Sequence, residues 1–120
     1  MSRNYRDLIV WQRAHEFVLN VYRFTNSFPT DERFGLTSQL RRAAVSVPSN
    51  LVEGCGRGTD ADLCRFCDIA MGSANEAEYQ TLLATELGYL SDEQFQHLSD
   101  QIAQVKKMLY RFIEHLRRSS

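Results

Sequence analysis

The segment Phe34–Arg57, FGLTSQLRRAAVSVPSNLVEGCGR, constrains this chain more than any other. Leu36, Leu40, Ala43, Val47, Leu51 and Gly54 recur at helical spacing, so they predict a core-facing helix from about Leu36 to Gly54. Yet Pro48 stands in its middle. A proline there removes one backbone hydrogen bond and crowds the carbonyl of Ala44, so a kink is expected at Pro48. Ser46, Ser49 and Asn50 could return partners to the freed backbone. Gly54, Gly56 and Gly58 then end the helix.

The rest of the chain reads as three more helices. The first runs from about Arg6 to Ser27, with Val10, Ala14, Phe17, Val21, Phe24 and Phe28 on one face. Trp11, Val18 and Tyr22 form a second row, and Pro29 is expected to end the helix. The third starts at Thr59, which can cap it with Asp62 reaching back, and stops near Leu87–Gly88. Its core row, Leu63, Cys67, Ala70, Ala74, Ala77, Thr81 and Ala84, is nearly all small, which lets a neighbour approach closely. A second row, Ile69, Leu83, Leu87 and Leu90, is interrupted by Ser73, Glu76 and Gln80, so this helix should be covered from two sides. The fourth opens with a Ser91–Gln94 capping box. It carries a coiled-coil-like seam of Phe95, Leu98, Ile102, Val105, Leu109, Phe112 and Leu116. Short connections favour an all-α, antiparallel up-down-up-down four-helix bundle with no sheet, one domain over residues 1–120.

Composition narrows the function classes. At 43% hydrophobic the chain can build a core, and a net charge of −1 argues against a strongly basic nucleic-acid binder. Charge is nevertheless uneven. Asp60 to Glu93 holds eight acids and one base, whereas Lys106, Lys107, Arg111, Arg117 and Arg118 crowd the last helix. These five bases read either as cations at a helix C-terminus or as a nucleic-acid patch. Cys55, Cys64 and Cys67 cannot all pair within one chain. Cys64 and Cys67 form a C-x-x-C without a second pair or a histidine at ligand spacing, so buried and half-exposed free thiols are expected, with no metal or cofactor. Free thiols, no apolar leader and no membrane-length apolar run point to the cytoplasm.

Arg42, Ser46, Ser49, Glu53 and Arg57 follow in helical steps and draw a polar line on the second helix; Ser73, Glu76 and Gln80 draw a shorter one on the third. A catalytic reading would pair the Glu53 and Glu76 carboxylates, but the roles a reaction needs are mostly unfilled: there is no nearby histidine, no Glu-x-x-His and no activated nucleophile. A solvated face is the plainest reading. The favoured expectation is a buried or interfacial network of Arg42 and Arg57 with Glu53 and Glu76, in which Ser46, Ser49, Asn50 and Ser73 satisfy remaining donors.

One family carries this pattern across nearly the whole chain. The residues concerned are Trp11-Gln12, Ala14, Phe28-Pro29, Glu32, Gly35-Leu36, Ser38-Gln39, Arg41 to Ala44, Ser46, Pro48 to Asn50, Glu53-Gly54 and Gly56-Arg57. Phe66, Ile69-Ala70, Gly72-Ser73, Glu76, Glu78 and Leu87 to Leu90 continue the match. The chain thus resembles the four-helix-bundle proteins encoded in intervening sequences of large-subunit ribosomal RNA genes. Val47, Val52 and Cys67 depart from the pattern conservatively. The family is similar to the accessory protein of diversity-generating retroelements, a five-membered ring of four-helix bundles that binds a reverse transcriptase and nucleic acid. The resemblance implies a non-enzymatic homopentamer, or a nucleic-acid accessory factor acting on RNA or DNA.

Overall fold

The computed structural model describes residues 3–119. Four helices make up the fold: α1 (Ile9–Thr25), α2 (Leu36–Cys55), α3 (Asp60–Glu86) and α4 (Asp92–Ser119), with 3₁₀ turns at Tyr5–Asp7 and Thr30–Glu32. No strand occurs among the described residues. Each helix packs on its sequence neighbours, α1 also packs on α4, and α2 with α3 make the most extensive contact. Cross-helix pairs run in opposite directions along the sequence: Lys106 and Arg117 of α4 reach Glu78 and Asp68 of α3. The body is elongated, 45 × 23 × 20 Å.

The helix ends follow local chemistry. Ser91 Oγ accepts from Gln94 N at 3.1 Å while Gln94 Oε1 accepts from Ser91 N at 3.0 Å, a complete capping box. At α3 only half the expected box forms, with Thr59 Oγ1 accepting from Asp62 N at 3.1 Å. Gly58 and Gly88 take left-handed φ of +89° and +83°, which a side chain would resist. Helix α1 ends at Thr25 rather than Ser27; Pro29, four residues on, has no N–H for the Thr25 carbonyl, which accepts from Phe28 N at 3.1 Å instead. Arg41 reaches over from α2 to this last turn and donates to Thr25 Oγ1, Asn26 Oδ1 and the Tyr22 carbonyl. The start also differs: Tyr5–Asp7 forms a separate 3₁₀ turn capped by Asn4.

The predicted core rows of α2 and α3 are buried throughout. On α4, Leu98, Ile102, Val105, Leu109 and Leu116 are buried. Phe112 sits half-buried at the flank, and Ile113 occupies the core place beside it. Full burial of such a side chain stabilises by about 1.5–3 kcal/mol. Helix α2 runs through Pro48 as one element, with Pro48 itself buried. Asn50 Nδ2 donates to the Ser46 carbonyl at 2.8 Å, two residues beyond the Ala44 carbonyl that Pro48 frees.

Candidate interaction surface

The two polar lines meet across α2 and α3 and divide into three parts. In the middle, Ser46 Oγ and Ser73 Oγ share a hydrogen bond of 2.8 Å, and Asn50 Nδ2 also donates to Ser46 Oγ at 3.0 Å. Towards the α2 N-terminus, Gln39, Arg42, Glu76 and Gln80 line a groove of about 510 Å³. Gln80 is 7% exposed, and its Oε1 is buried without a partner. Towards the α2 C-terminus, Arg57 donates to Glu53 Oε1 at 3.0 Å; both side chains are about half exposed. Ser49 is exposed.

This corrects the expected network. Glu53 pairs with Arg57 at the surface, not with Arg42 away from water. The reason is reach: Arg42 and Glu53 lie eleven residues apart on one helix, roughly 16 Å along its axis. Nor do Glu53 and Glu76 pair as carboxylates. The Ser46–Ser73 contact sets the register and carries Glu76 towards Arg42, in the opposite direction from Glu53. Among the described residues, no three His, Cys, Asp or Glu side chains converge as metal ligands would.

The same face of α3 carries Ile69, Ser73, Glu76, Gln80, Leu83 and Leu87 in steps of four and three. Ile69 and Leu87 are 44% and 50% exposed. The face is therefore apolar at both ends and polar in the centre. Leu90, expected on it, is buried in the bundle's own core, and Trp11 is half-buried against that core. The helical periodicities do not mark a second surface: Tyr79, Leu82 and Phe95 line an apolar groove of about 430 Å³ between α3 and α4. Tyr79 and Leu82 lie outside the core row, and the pairing of α3 with α4 was needed to bring Phe95 beside them.

The five bases of α4 separate. Lys106 bonds Glu78 at 3.0 Å and Arg117 bonds Asp68 at 3.3 Å, so both tie α4 to α3. Lys107, Arg111 and Arg118 are exposed on one face. The cysteines are free, with Cys55 and Cys67 buried and Cys64 half-buried. Burial, reinforced by Cys64, Cys55 and Asp68, pushes the Cys67 thiol up to about 12. Burial also raises Cys55, although Arg3 opposes it. Neither is poised as a thiolate nucleophile.

The fold defines the chain's class as an all-α four-helix protein, which by itself names no activity. The model of the 23S rRNA-intervening sequence protein family matches residues 6–111, and the chain belongs to that family. Its fold is similar to the crystal structure of a protein of unknown function from the S23 ribosomal protein family of Bacteroides thetaiotaomicron. That match has a TM-score of 0.81 and 23% identity, and covers 88% of this chain and 96% of the other. The search of curated proteins finds no match. Among the described residues, no helix is long and apolar enough to cross a membrane.

Proposed function

We propose that this chain is a non-enzymatic assembly module whose α2–α3 face binds a second copy of itself. The observation that carries the reading is Gln80. Its amide is nine-tenths buried with an unpartnered oxygen, beside Arg42 and Glu76, which make no ion pair among the described residues, between the exposed Ile69 and Leu87. Buried polar groups of native proteins are normally satisfied, and apolar surface of this kind marks contact sites. A second copy supplies both signs of charge and apolar area, and Gly72, Ser46 and Ser73 permit close approach. Closing a ring requires two different faces. The Tyr79–Leu82–Phe95 groove offers the second. Five is the number of subunits the family resemblance implies. Free thiols suit a reducing compartment, the cytoplasm.

Light scattering tests this at micromolar concentration. A ring of five has a mass five times the 13.9 kDa subunit. Ile69→Glu combined with Leu87→Glu is expected to give a folded, helical monomer. A monomeric wild-type chain overturns the reading.

A second reading rests on Lys107, Arg111 and Arg118: an accessory factor that holds RNA phosphates, alone or with a reverse transcriptase. Repetition around a ring would add weak contacts together. Gel shifts with structured rRNA fragments should then weaken steeply with salt, and Lys107→Glu with Arg111→Glu should abolish them while the oligomer stays intact. No shift at low salt removes this reading.

A further inference from the structure

Away from the α2–α3 face, a notch of about 250 Å³ opens between the end of α1 and the start of α2. It is lined by Thr25, Asn26, Arg33, Thr37 and Arg41, with Phe28 to Thr30 at its edge. Arg41 is held rigidly. Its Nε donates to Thr25 Oγ1 at 2.8 Å, one terminal nitrogen donates to Asn26 Oδ1 at 3.2 Å, and its guanidinium lies 4.6 Å over the Tyr22 ring. All these partners are neutral. Among the described residues no carboxylate pairs with Arg41 or Arg33; Arg33 rests over the Phe34 ring at 5.4 Å. Glu32 on the same turn is already engaged, accepting from Leu36 N at 3.1 Å and from Tyr89 Oη at 3.0 Å.

Thr37 adds an independent observation. It stands on the first turn of α2, is 8% exposed, and its Oγ1 is buried without a partner. A role for Arg41 as a clamp on α1 explains Arg41 alone. It leaves unexplained the idle Thr37 hydroxyl and a second unneutralised guanidinium on the same notch.

We propose that the notch binds a small tetrahedral oxyanion: inorganic phosphate, or the phosphate of a small monoester. Two guanidiniums and a hydroxyl offer donors from separate walls, which suits a group with three or four acceptor oxygens better than a planar carboxylate. The start of α2 adds little, because the Glu32 carboxylate already caps it at Leu36 N and itself opposes an anion. The volume lies below that of pockets for larger organic ligands. Asp31, exposed on the neighbouring turn, opposes the anion and limits affinity.

The test is an NMR titration of the ¹⁵N-labelled full chain with sodium phosphate, against sodium chloride at matched ionic strength. Saturable shifts at Arg41 Nε–H and Thr37 are expected with phosphate only. Arg33→Gln and Thr37→Val leave the α1 clamp in place and should each weaken binding about tenfold. Asp31→Asn should tighten it. Glycerol phosphate separates the sources: equal binding assigns a monoester, and lost binding assigns free phosphate. Shifts that match chloride, affinity unchanged in both weakening variants, or acetate binding as tightly as phosphate would each overturn the proposal.

Discussion

Gly54 of α2 lies hard against Leu63 of α3: a Cβ added to it would meet Leu63 Cδ1 and Phe66 Cβ at 2.9 Å. Alanine normally stabilises a helix interior by about 1 kcal/mol over glycine. Here the clash should win, because Leu63 and Phe66 are buried and their backbone is fixed by the helix. Overpacking of this kind costs about 1–3 kcal/mol. Gly54→Ala is therefore expected to lower the urea midpoint. Gly56, where an added Cβ would meet only the Glu53 and Val52 carbonyls at 3.6 and 3.8 Å, is the control. A Gly54→Ala chain as stable as wild type would show that α2 and α3 can move apart at no cost.

The Ser46–Ser73 bond makes a prediction about coupling. Replacing either serine by alanine leaves the other hydroxyl with one partner fewer, at a cost of about 1 kcal/mol. After Ser73→Ala, Asn50 Nδ2 still donates to Ser46 Oγ, whereas Ser46→Ala leaves Ser73 Oγ without its partner, so Ser73→Ala should be the milder change. The double variant strands neither hydroxyl and should cost less than the two single losses together. Strict additivity in denaturant unfolding would mean that the contact carries no energy.

The helices were legible in the sequence because apolar period, caps and left-handed glycines agreed. The end of α1 was legible to within two residues from Pro29, whereas the Arg41 contact that ties Thr25 to α2, sixteen residues away, was not. The polar line was legible as a line but not as a network. Spacing places Arg42 and Glu53 on one face and already allows the i,i+4 pair of Glu53 with Arg57, but only the register between α2 and α3 decides that Arg42 lies near Glu76. The sequence marks Gln80 as polar but not as buried. Its place beside the small row Ala77, Thr81 and Ala84, under a closely packed α2, was the available signal. Likewise the α4 bases shared a segment, and only tertiary pairing separated Lys106 and Arg117 from the rest.

Glu53 now carries a modest expectation. Its pair with Arg57 is an exposed i,i+4 contact, worth about 0.3–0.5 kcal/mol and screened by salt. Alanine recovers part of that through helix propensity. Glu53→Ala should change the stability of the subunit by less than about 0.5 kcal/mol in chemical denaturation. A loss of about 3 kcal/mol or more would reinstate a buried partner for this carboxylate.

The thiols give a test that needs no mutation. Only a thiolate alkylates rapidly. Cys67 is fully buried and its thiol is held near 12, and Cys55 is buried and raised as well. Iodoacetamide at neutral pH should therefore modify Cys64 first, with Cys55 and Cys67 following only on unfolding, as read by intact mass. The sign of the pH dependence follows from the same shift. A thiol raised in the folded state favours folding fully below its unfolded value of 9.0, and that contribution fades as pH climbs towards about 12. Cys67→Ala should flatten this alkaline decline relative to wild type, while leaving a cavity whose cost is the same at every pH. An equally steep decline in the variant would assign the alkaline loss to other groups, such as Tyr89, whose hydroxyl is raised by its hydrogen bond to Glu32.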